Sequence, residues 1–277
     1  MIILGIIFGI IIAIMRAVDV FICKNLIKNK DASFHSFCCI IFCIPFLFIT
    51  ALFNWKLELS IIMYVFLYGI IEAVNIFFHQ QAIKYLEPVS VEILSKTKTL
   101  LVYIISLILV IESISISGIF GIIIFTIGIF LTVDYSSLNK KNYSSVKGYI
   151  YEIISVISRT IKPFILKYLL VSEKISNETL VFFAMIISAS LIFILFKPKI
   201  KLEKNDLKGY FIRAFFDSIG MLLSGYAIFF AGALITSMME NLSIFMVAII
   251  SYLLYKKKID KKTILGMICV IIGLIFI

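Results

Sequence analysis

The second half of the chain repeats the first half. Gly5–Ile27 aligns without a gap with Gly148–Leu170, and this alignment places Arg16 on Arg159. The other polar and glycine matches are Lys24 with Lys167, Glu72 with Asp217, Gly121 with Gly266 and Gly128 with Gly273. Isoleucine matches are frequent in an apolar chain, so the charged and glycine matches carry the inference. A duplication of this kind predicts two equivalent units related by a pseudo-two-fold axis.

Composition indicates that these units lie in a membrane. Of the 277 residues, 62% are hydrophobic and 15% are charged, and the mean hydropathy is +1.13. Soluble domains have an apolar share of roughly half and a charged share of about a quarter. In lipid only helices and closed barrels satisfy the backbone, and the apolar runs are too long for alternating barrel strands. The predicted fold class is therefore an all-α membrane protein.

Ten apolar runs have the length that a transmembrane helix needs, about 20 residues. They cover 2–23, 33–53, 60–83, 88–111, 114–133, 147–171, 177–196, 208–230, 232–255 and 262–277. Five runs per repeat is an odd number, so the two repeats are expected to be inverted relative to each other in the membrane. The predicted organisation is a first five-helix repeat over 1–133, a linker over 134–147 and a second repeat over 148–277.

The lysines behind the net charge of +10 indicate the topology. Most of them lie in the odd-numbered connections between runs, whereas the even-numbered connections hold essentially Lys56 and Lys174. Basic loops stay in the cytoplasm beside anionic lipid. The count predicts a multi-pass protein of the cell (plasma or inner) membrane with both termini outside. It also favours a lipid-facing rim over a nucleic-acid surface.

The cysteines do not predict a metal site. They lie in or at the edge of apolar runs, at Cys23, Cys38, Cys39, Cys43 and Cys269. The sequence has no paired C-x-x-C motifs and only two histidines to complete a zinc site. Buried cysteine usually acts as a small apolar residue. We therefore expect neither a metal nor a cofactor.

Ionisable residues inside the runs are the candidates for function, because each costs about 2.5–3.5 kcal/mol at the bilayer centre. The first run carries Arg16 and Asp19, three residues apart, and the sixth run carries Arg159 and Lys162 at the matching positions. Pairing of Arg16 with Asp19 within the helix is one interpretation. Lining of a central cavity is the other, and the burial cost favours it.

The third and eighth runs carry carboxylates at matching positions. Glu72, Asn75 and His79 form a stripe at i, i+3 and i+7 spacing, and Asp217 stands where the eighth run matches Glu72. Such a stripe must face protein or water rather than lipid. The two carboxylates are candidates for binding a substrate cation or a proton. The alternatives are a structural hydrogen-bond network and, for His79, an interfacial position near the helix end.

The fourth and ninth runs add a further set of charges. Glu92 and Lys96 have the i, i+4 spacing at which they can neutralise each other. Lys98 points to another face and either reaches the protein interior or snorkels to the headgroups. The remaining candidates for substrate contact are Tyr103, Glu240 and Asn241, of which Asn241 matches Lys96.

Several segments resemble a known family. They are Gln81–Pro88 (QAIKYLEP), the run Val102–Glu112 of a fourth helix that ends in Glu, and the glycine-marked Gly118–Gly128 and Gly266–Gly273. Over the whole chain, this pattern resembles the EamA type of the drug/metabolite transporter superfamily. Thr99 and Ile244 stand about where that family often has a proline in the fourth and ninth helices, and Lys257 replaces the acidic residue ending the ninth. The family also usually has both termini in the cytoplasm, opposite to the lysine count.

The resemblance implies a secondary carrier rather than an enzyme. It implies alternating access around a central cavity between the repeats, a small polar metabolite as substrate, and action as a monomer or homodimer in the lipid bilayer. The acidic residues favour an amine or amino acid and the basic ones a carboxylate or phosphate, so a zwitterion is the compromise. Protonation of Glu72 or Asp217 is the expected coupling.

Two other classes of function remain open. A translocator of a lipid-linked or phosphorylated metabolite would also use buried Arg and Lys, and it should have a groove open sideways to lipid. A membrane enzyme or scaffold is the third class. The chain contains no H-E-x-x-H or G-x-S-x-G motif, which argues against catalysis.

Overall fold

The computed structural model describes residues 2–28, 30–109, 116–132, 143–199, 202–256 and 260–276, and the secondary structure of this part is almost entirely helical. Its helices are α1 (Ile2–Ile27), α2 (Ala32–Ile41), α3 (Ile44–Phe53), α4 (Ile62–Tyr85), α5 (Pro88–Ser95), α6 (Thr97–Ile108), α7 (Ile116–Thr132), α8 (Tyr143–Val171), α9 (Asn177–Phe196), α10 (Lys204–Glu240), α11 (Ser243–Tyr255) and α12 (Lys261–Phe276). One 3₁₀ turn, Leu59–Ile61, precedes α4. The predicted all-α fold is confirmed.

The outer surface of the bundle is apolar. Large side chains such as Phe53, Met63 and Leu253 are exposed there, as expected for a surface in contact with lipid. Among the described residues, the helical stretches long and apolar enough to cross a membrane are Ile2–Ile27, Ala32–Phe53, Leu59–Tyr85, Asn177–Phe196 and Asp206–Leu254. Ile116–Gly128 and Ile264–Gly273 are shorter apolar helices. The count of ten spans stays a prediction. So does the linker over 134–147, most of which lies outside the described residues.

Equivalent helices of the two repeats make equivalent contacts. α1 packs along α10 and α8 packs along α4, which is the same pair of elements with the repeats exchanged. A Cβ on Gly5 would lie 2.6 Å from the Cβ of Ala231, and a Cβ on Gly148 would lie 2.7 Å from the Cγ of Leu86. Both glycines therefore permit close approach at matching places. This symmetry agrees with the duplication read from the sequence.

The same symmetry holds where α7 packs against α12. A Cβ on Gly128 would lie 2.7 Å from the carbonyl oxygen of Gly266, and a Cβ on Gly273 would lie 2.7 Å from that of Gly121. Small residues let the backbones of membrane helices approach each other closely. The matched glycines of the sequence are thus the contact points of this helix pair.

Three of the predicted runs are interrupted helices. In the second run the break falls between α2 and α3, because Pro45 cannot donate a backbone hydrogen bond to the preceding turn. The fourth and ninth runs break at Lys96 and Asn241, which are matching positions. There the amides bond three residues back, Lys96 to Ile93 at 3.0 Å and Asn241 to Met238 at 3.1 Å. These two breaks form without the proline that the family often has.

Gly232 marks the boundary between the eighth and ninth runs. α10 consists of two helical segments, one in each run, which meet at the non-helical Gly232, where φ is +83° and ψ is 169°. This backbone conformation is readily available only to glycine. The segment after the bend belongs to the ninth run and leads directly to the break at Asn241.

Candidate functional site

A cavity of about 120 Å³ lies between α1, α4, α8 and α10, with Glu92 of α5 in its wall. It has room for several water molecules or one small solute. Eight of the residues predicted from the sequence line it: Arg16, Asp19, Glu72, Asn75, His79, Arg159, Lys162 and Asp217. The interpretation of these residues as cavity-lining groups therefore agrees with the structure.

Two carboxylates share one guanidinium on one side of the cavity. Nε of Arg213 lies 2.9 Å from Oδ1 of Asp19, and its Nη2 lies 2.9 Å from Oδ2 of Asp217. We call these three residues the acidic cluster, because their formal charges sum to −1. Pairing of Asp19 with Arg16 within α1 is wrong, since each contacts a residue of α10 instead. The sequence analysis missed Arg213, although its i, i+4 spacing from Asp217 was an available signal.

The opposite imbalance occurs around Glu240. Its Oε2 lies 2.8 Å from Nη1 of Arg16 and 3.1 Å from Nζ of Lys98. We call these three residues the basic cluster, because their formal charges sum to +1. Lys98 is 7% exposed, so it does not snorkel to the headgroups. The side chain of Arg16 is 33% exposed and presents the charge of this cluster to the cavity.

The lining charges of α4 and α8 have their own partners, one across the two helices and one within α8. Oε2 of Glu72 lies 2.7 Å from Nζ of Lys162, and Arg159 pairs with the fully buried Glu152. Nδ1 of His79 lies 2.9 Å from Oε2 of Glu152. The sequence analysis missed Glu152, which lies two helical turns before Arg159 on the same face. The α4 stripe therefore lines the cavity and also joins two helices.

Lys96 joins the two interrupted helices at the centre of the bundle. It pairs with Glu92, as the i, i+4 spacing predicts. Its Nζ also donates to Oγ of Ser243 at 2.5 Å and to the backbone oxygen of Glu240 at 3.2 Å. Such a carbonyl at a helix end lacks a backbone partner within its helix, and the side chains of Lys96 and Ser243 donate to it instead.

Four of the predicted substrate-contact residues lie outside the cavity lining. They are Lys96, Tyr103, Glu240 and Asn241. Asn241 donates through Nδ2 to Oγ1 of Thr99 at 2.9 Å, and this bond connects the two interrupted helices. Tyr103 is buried on α6. Glu240 acts on the cavity through its contact with Arg16.

Comparison of the sequence with known families identifies the functional class of the chain. The sequence pattern of the EamA-like transporter family matches residues 3–134 and again residues 146–277. The chain belongs to the EamA-like transporter family. This EamA-like transporter is therefore a multi-pass membrane protein that moves small molecules across the bilayer, and members of its family are transporters rather than enzymes.

A solved crystal structure shares the fold of this EamA-like transporter. The TM-score is 0.73 at 11% sequence identity, over 98% of this chain and 96% of the other chain. At this identity the likeness establishes the fold alone. No curated protein sequence matches the chain.

Proposed function

We propose that this transporter carries a small zwitterion, such as an α-amino acid, by alternating access between its two repeats. The observation that carries the proposal is the unequal sharing of counter-ions around the cavity. Asp19 and Asp217 share one cation, whereas Arg16 and Lys98 share one anion. A zwitterion supplies one charge of each sign.

The charges of the two clusters would determine the orientation of the substrate. The ammonium group of the substrate would face the acidic cluster and its carboxylate would face Arg16 of the basic cluster. Uncompensated charges in a low-dielectric interior are costly, and a substrate that compensates both clusters reduces this cost. An amine or a carboxylic acid compensates only one of them.

The spacing of the two clusters favours a short substrate. Arg16 and Asp19 are three residues apart on α1, which corresponds to a rise of about 4.5 Å along the helix. The ammonium and carboxylate of an α-amino acid are attached to one carbon, so a single small molecule can present both charges to this part of α1. The cavity of about 120 Å³ also fits a molecule of this size.

Alternating access would use the interface between the repeats. Rocking of the two repeats around the cavity would open it to one side of the membrane at a time. Protonation of Glu72 or Asp217 is the proposed coupling step. The predicted membrane orientation, with the lysine-rich connections in the cytoplasm, remains part of this proposal.

Binding of three related molecules to the detergent-purified protein tests the charge requirement. They are an α-amino acid, the amine formed by removing its carboxylate, and the acid formed by removing its ammonium group. We expect the amino acid to raise the thermal unfolding midpoint most, because ligand binding stabilises the folded state. Charge-assisted hydrogen bonds contribute about 1.5–3 kcal/mol, so each half-molecule should bind roughly 10- to 100-fold more weakly.

Matched variants assign the two ends of the substrate. Arg16→Gln should weaken binding of the amino acid while leaving binding of the amine unchanged. Asp217→Asn should also weaken binding of the amino acid, but it should leave binding of the carboxylic acid unchanged. Glu58→Gln is the control, because Glu58 is exposed at one end of the bundle. Equal binding of the three molecules would contradict the proposal. Absence of any soluble ligand, together with translocation of a labelled lipid in vesicles, would favour the lipid translocator.

A further inference from the structure

Two cysteines and a histidine gather between α1 and α2, beside the acidic cluster. They are Cys23, His35 and Cys39, and all three are buried. Their two Sγ atoms and a ring nitrogen lie within 4.8 Å of one another. No metal motif is visible in the sequence, because Cys23 comes from a different helix than the other two. The fold therefore forms a cluster that the spacing of the cysteines does not predict.

The distances within this cluster suit a tetrahedral metal site. His35 and Cys39 are one turn apart on α2, and Nε2 of His35 lies 3.4 Å from Sγ of Cys39. Zinc binds sulfur at about 2.3 Å and imidazole nitrogen at about 2.0–2.1 Å, so tetrahedral geometry puts these two ligand atoms about 3.6 Å apart. The site needs little rearrangement at this pair of ligands.

The surroundings of the cluster hold its ligands in place. Nδ1 of His35 lies 2.8 Å from the hydroxyl of Tyr210, which leaves Nε2 directed to the thiols. Metal-binding histidines generally have such a partner on their other nitrogen. Nε of Arg213 donates to Sγ of Cys23 at 3.0 Å, a contact that stabilises a thiolate.

Gln80 supplies a fourth polar group. Its side chain is 1% exposed, and its Nε2 lies 3.7 Å from Sγ of Cys23. Its Oε1 makes no hydrogen bond of good geometry within the described part of the chain. The side chain of Gln80 also interacts with the ring of His35, so it lies beside the two ligands of α2 as well as beside Cys23. Gln80 also lines the central cavity, which gives an ion a route to the cluster.

We propose that Cys23, His35 and Cys39 bind a thiophilic divalent metal ion of the zinc type, with Oε1 of Gln80 as the fourth ligand. The two thiol protons leave for solvent when the ion binds. Two thiolates and a neutral imidazole then compensate the charge of the ion. Arg213 keeps its own two carboxylates, so the site adds no unpaired charge. The bound ion would join α1 to α2 and fix Arg213 next to the cavity.

Metal titration of the purified full chain tests this site independently of the transport proposal. Zn²⁺ is added against a chromophoric chelator, in a non-thiol reductant, and Co²⁺ binding is followed by its thiolate-to-cobalt absorption. We expect one Zn²⁺ per chain and a cobalt spectrum typical of thiolate ligands. Absence of stoichiometric binding would overturn the proposal.

Cysteine variants identify the ligands. Cys23→Ser and Cys39→Ser should each weaken Zn²⁺ binding by more than about 100-fold, and Tyr210→Phe by about 10-fold. Cys38→Ser is the matched control, because Cys38 is an equally buried neighbour on α2 that is not part of the cluster. Thermal unfolding without metal shows whether each variant folds, and the cobalt spectrum reports a lost thiolate ligand directly. Equal loss of binding in the Cys38 variant would also overturn the assignment.

Discussion

Glu72 and Asp217 are matching residues of the two repeats, but neutralising them has different consequences. Asp217 is the second carboxylate on Arg213, so its protonation leaves Arg213 paired with Asp19. Glu72 is the carboxylate that Lys162 contacts among the described residues. Its protonation would leave a partly buried lysine without its counter-ion, which is costly in the interior. Of the two proposed coupling residues, Asp217 is therefore the better suited to exchange a proton during transport.

Proton-driven uptake into vesicles tests this difference. Asp217→Asn should abolish the stimulation of uptake by an imposed pH gradient while the protein keeps its fold. Glu72→Gln should instead lower the free energy of unfolding, by up to about 3 kcal/mol, because it leaves the partly buried Lys162 without its counter-ion. The thermal unfolding midpoint and the gradient-driven uptake rate are measured for both variants. Stimulation that survives in Asp217→Asn would exclude this residue from coupling.

For individual residues, the sequence predicts which of them line the cavity, but it does not predict which partners they contact. Arg16, Asp19 and Glu72 stand out because charged residues are rare inside apolar runs. The partner of Arg16 is Glu240, from the other repeat, and no local spacing predicts such a contact. Arg213 was overlooked because the alignment of the repeats gives it no charged counterpart.

Among the helices, the fourth and ninth runs are interrupted at matching positions, Lys96 and Asn241. Both are turns with hydrogen bonds to the third residue back, and both lie at the interface between the repeats. Tight turns inside a helix often mark a hinge, and discontinuous helices commonly form the centre of transporters. The sequence predicted the two apolar runs but not their breaks, because these breaks involve neither proline nor glycine. The polar side chains of the opposite repeat stabilise them instead.

The bend at Gly232 gives a prediction for a single element. Gly232→Ala should destabilise the protein by about 1–3 kcal/mol, because alanine is strained in this backbone conformation. A Cβ at this position would meet nothing within 4 Å, so a loss of stability would come from the backbone rather than from a clash. The free energy of unfolding in detergent is the quantity to measure.

Gly220→Ala is the matched control on the same helix. A Cβ there would meet only Sδ of Met15, at 3.9 Å, and the backbone is helical. Alanine stabilises a helix interior by roughly 0.5–1 kcal/mol relative to glycine. The two substitutions should therefore change stability in opposite directions. Destabilisation of the same size in both variants would show that the conformation of Gly232 is not the cause.

Across the whole molecule, the repeats are joined at both ends of the bundle. At the lysine-rich end, Nζ of Lys30 lies 2.6 Å from Oδ1 of Asp206. At the other end, Nδ2 of Asn54 donates to Oε2 of Glu178 at 3.0 Å, and Glu178 also accepts from Tyr226. Alternating access requires that one of these ends separates while the other stays closed. The duplication visible in the sequence predicts the two ends, whereas the contacts that close them involve residues without a match in the other repeat.

Opening of each end can be measured from the two sides of a vesicle membrane. Ser224 lines the cavity, so Ser224→Cys provides a thiol whose reaction with a membrane-impermeant reagent reports access. Asp206→Asn removes a link at the lysine-rich end and should raise the labelling rate from that side. Glu178→Gln weakens the links at the other end and should raise labelling from the opposite side. Opening at one end and opening at the other are the two states of one conformational equilibrium. A ligand that favours one of these states should therefore lower the raised labelling rate in one variant and raise it further in the other. Equal increases from both sides in either variant would indicate general loosening of the bundle, because a rocking motion exposes the cavity to one side at a time.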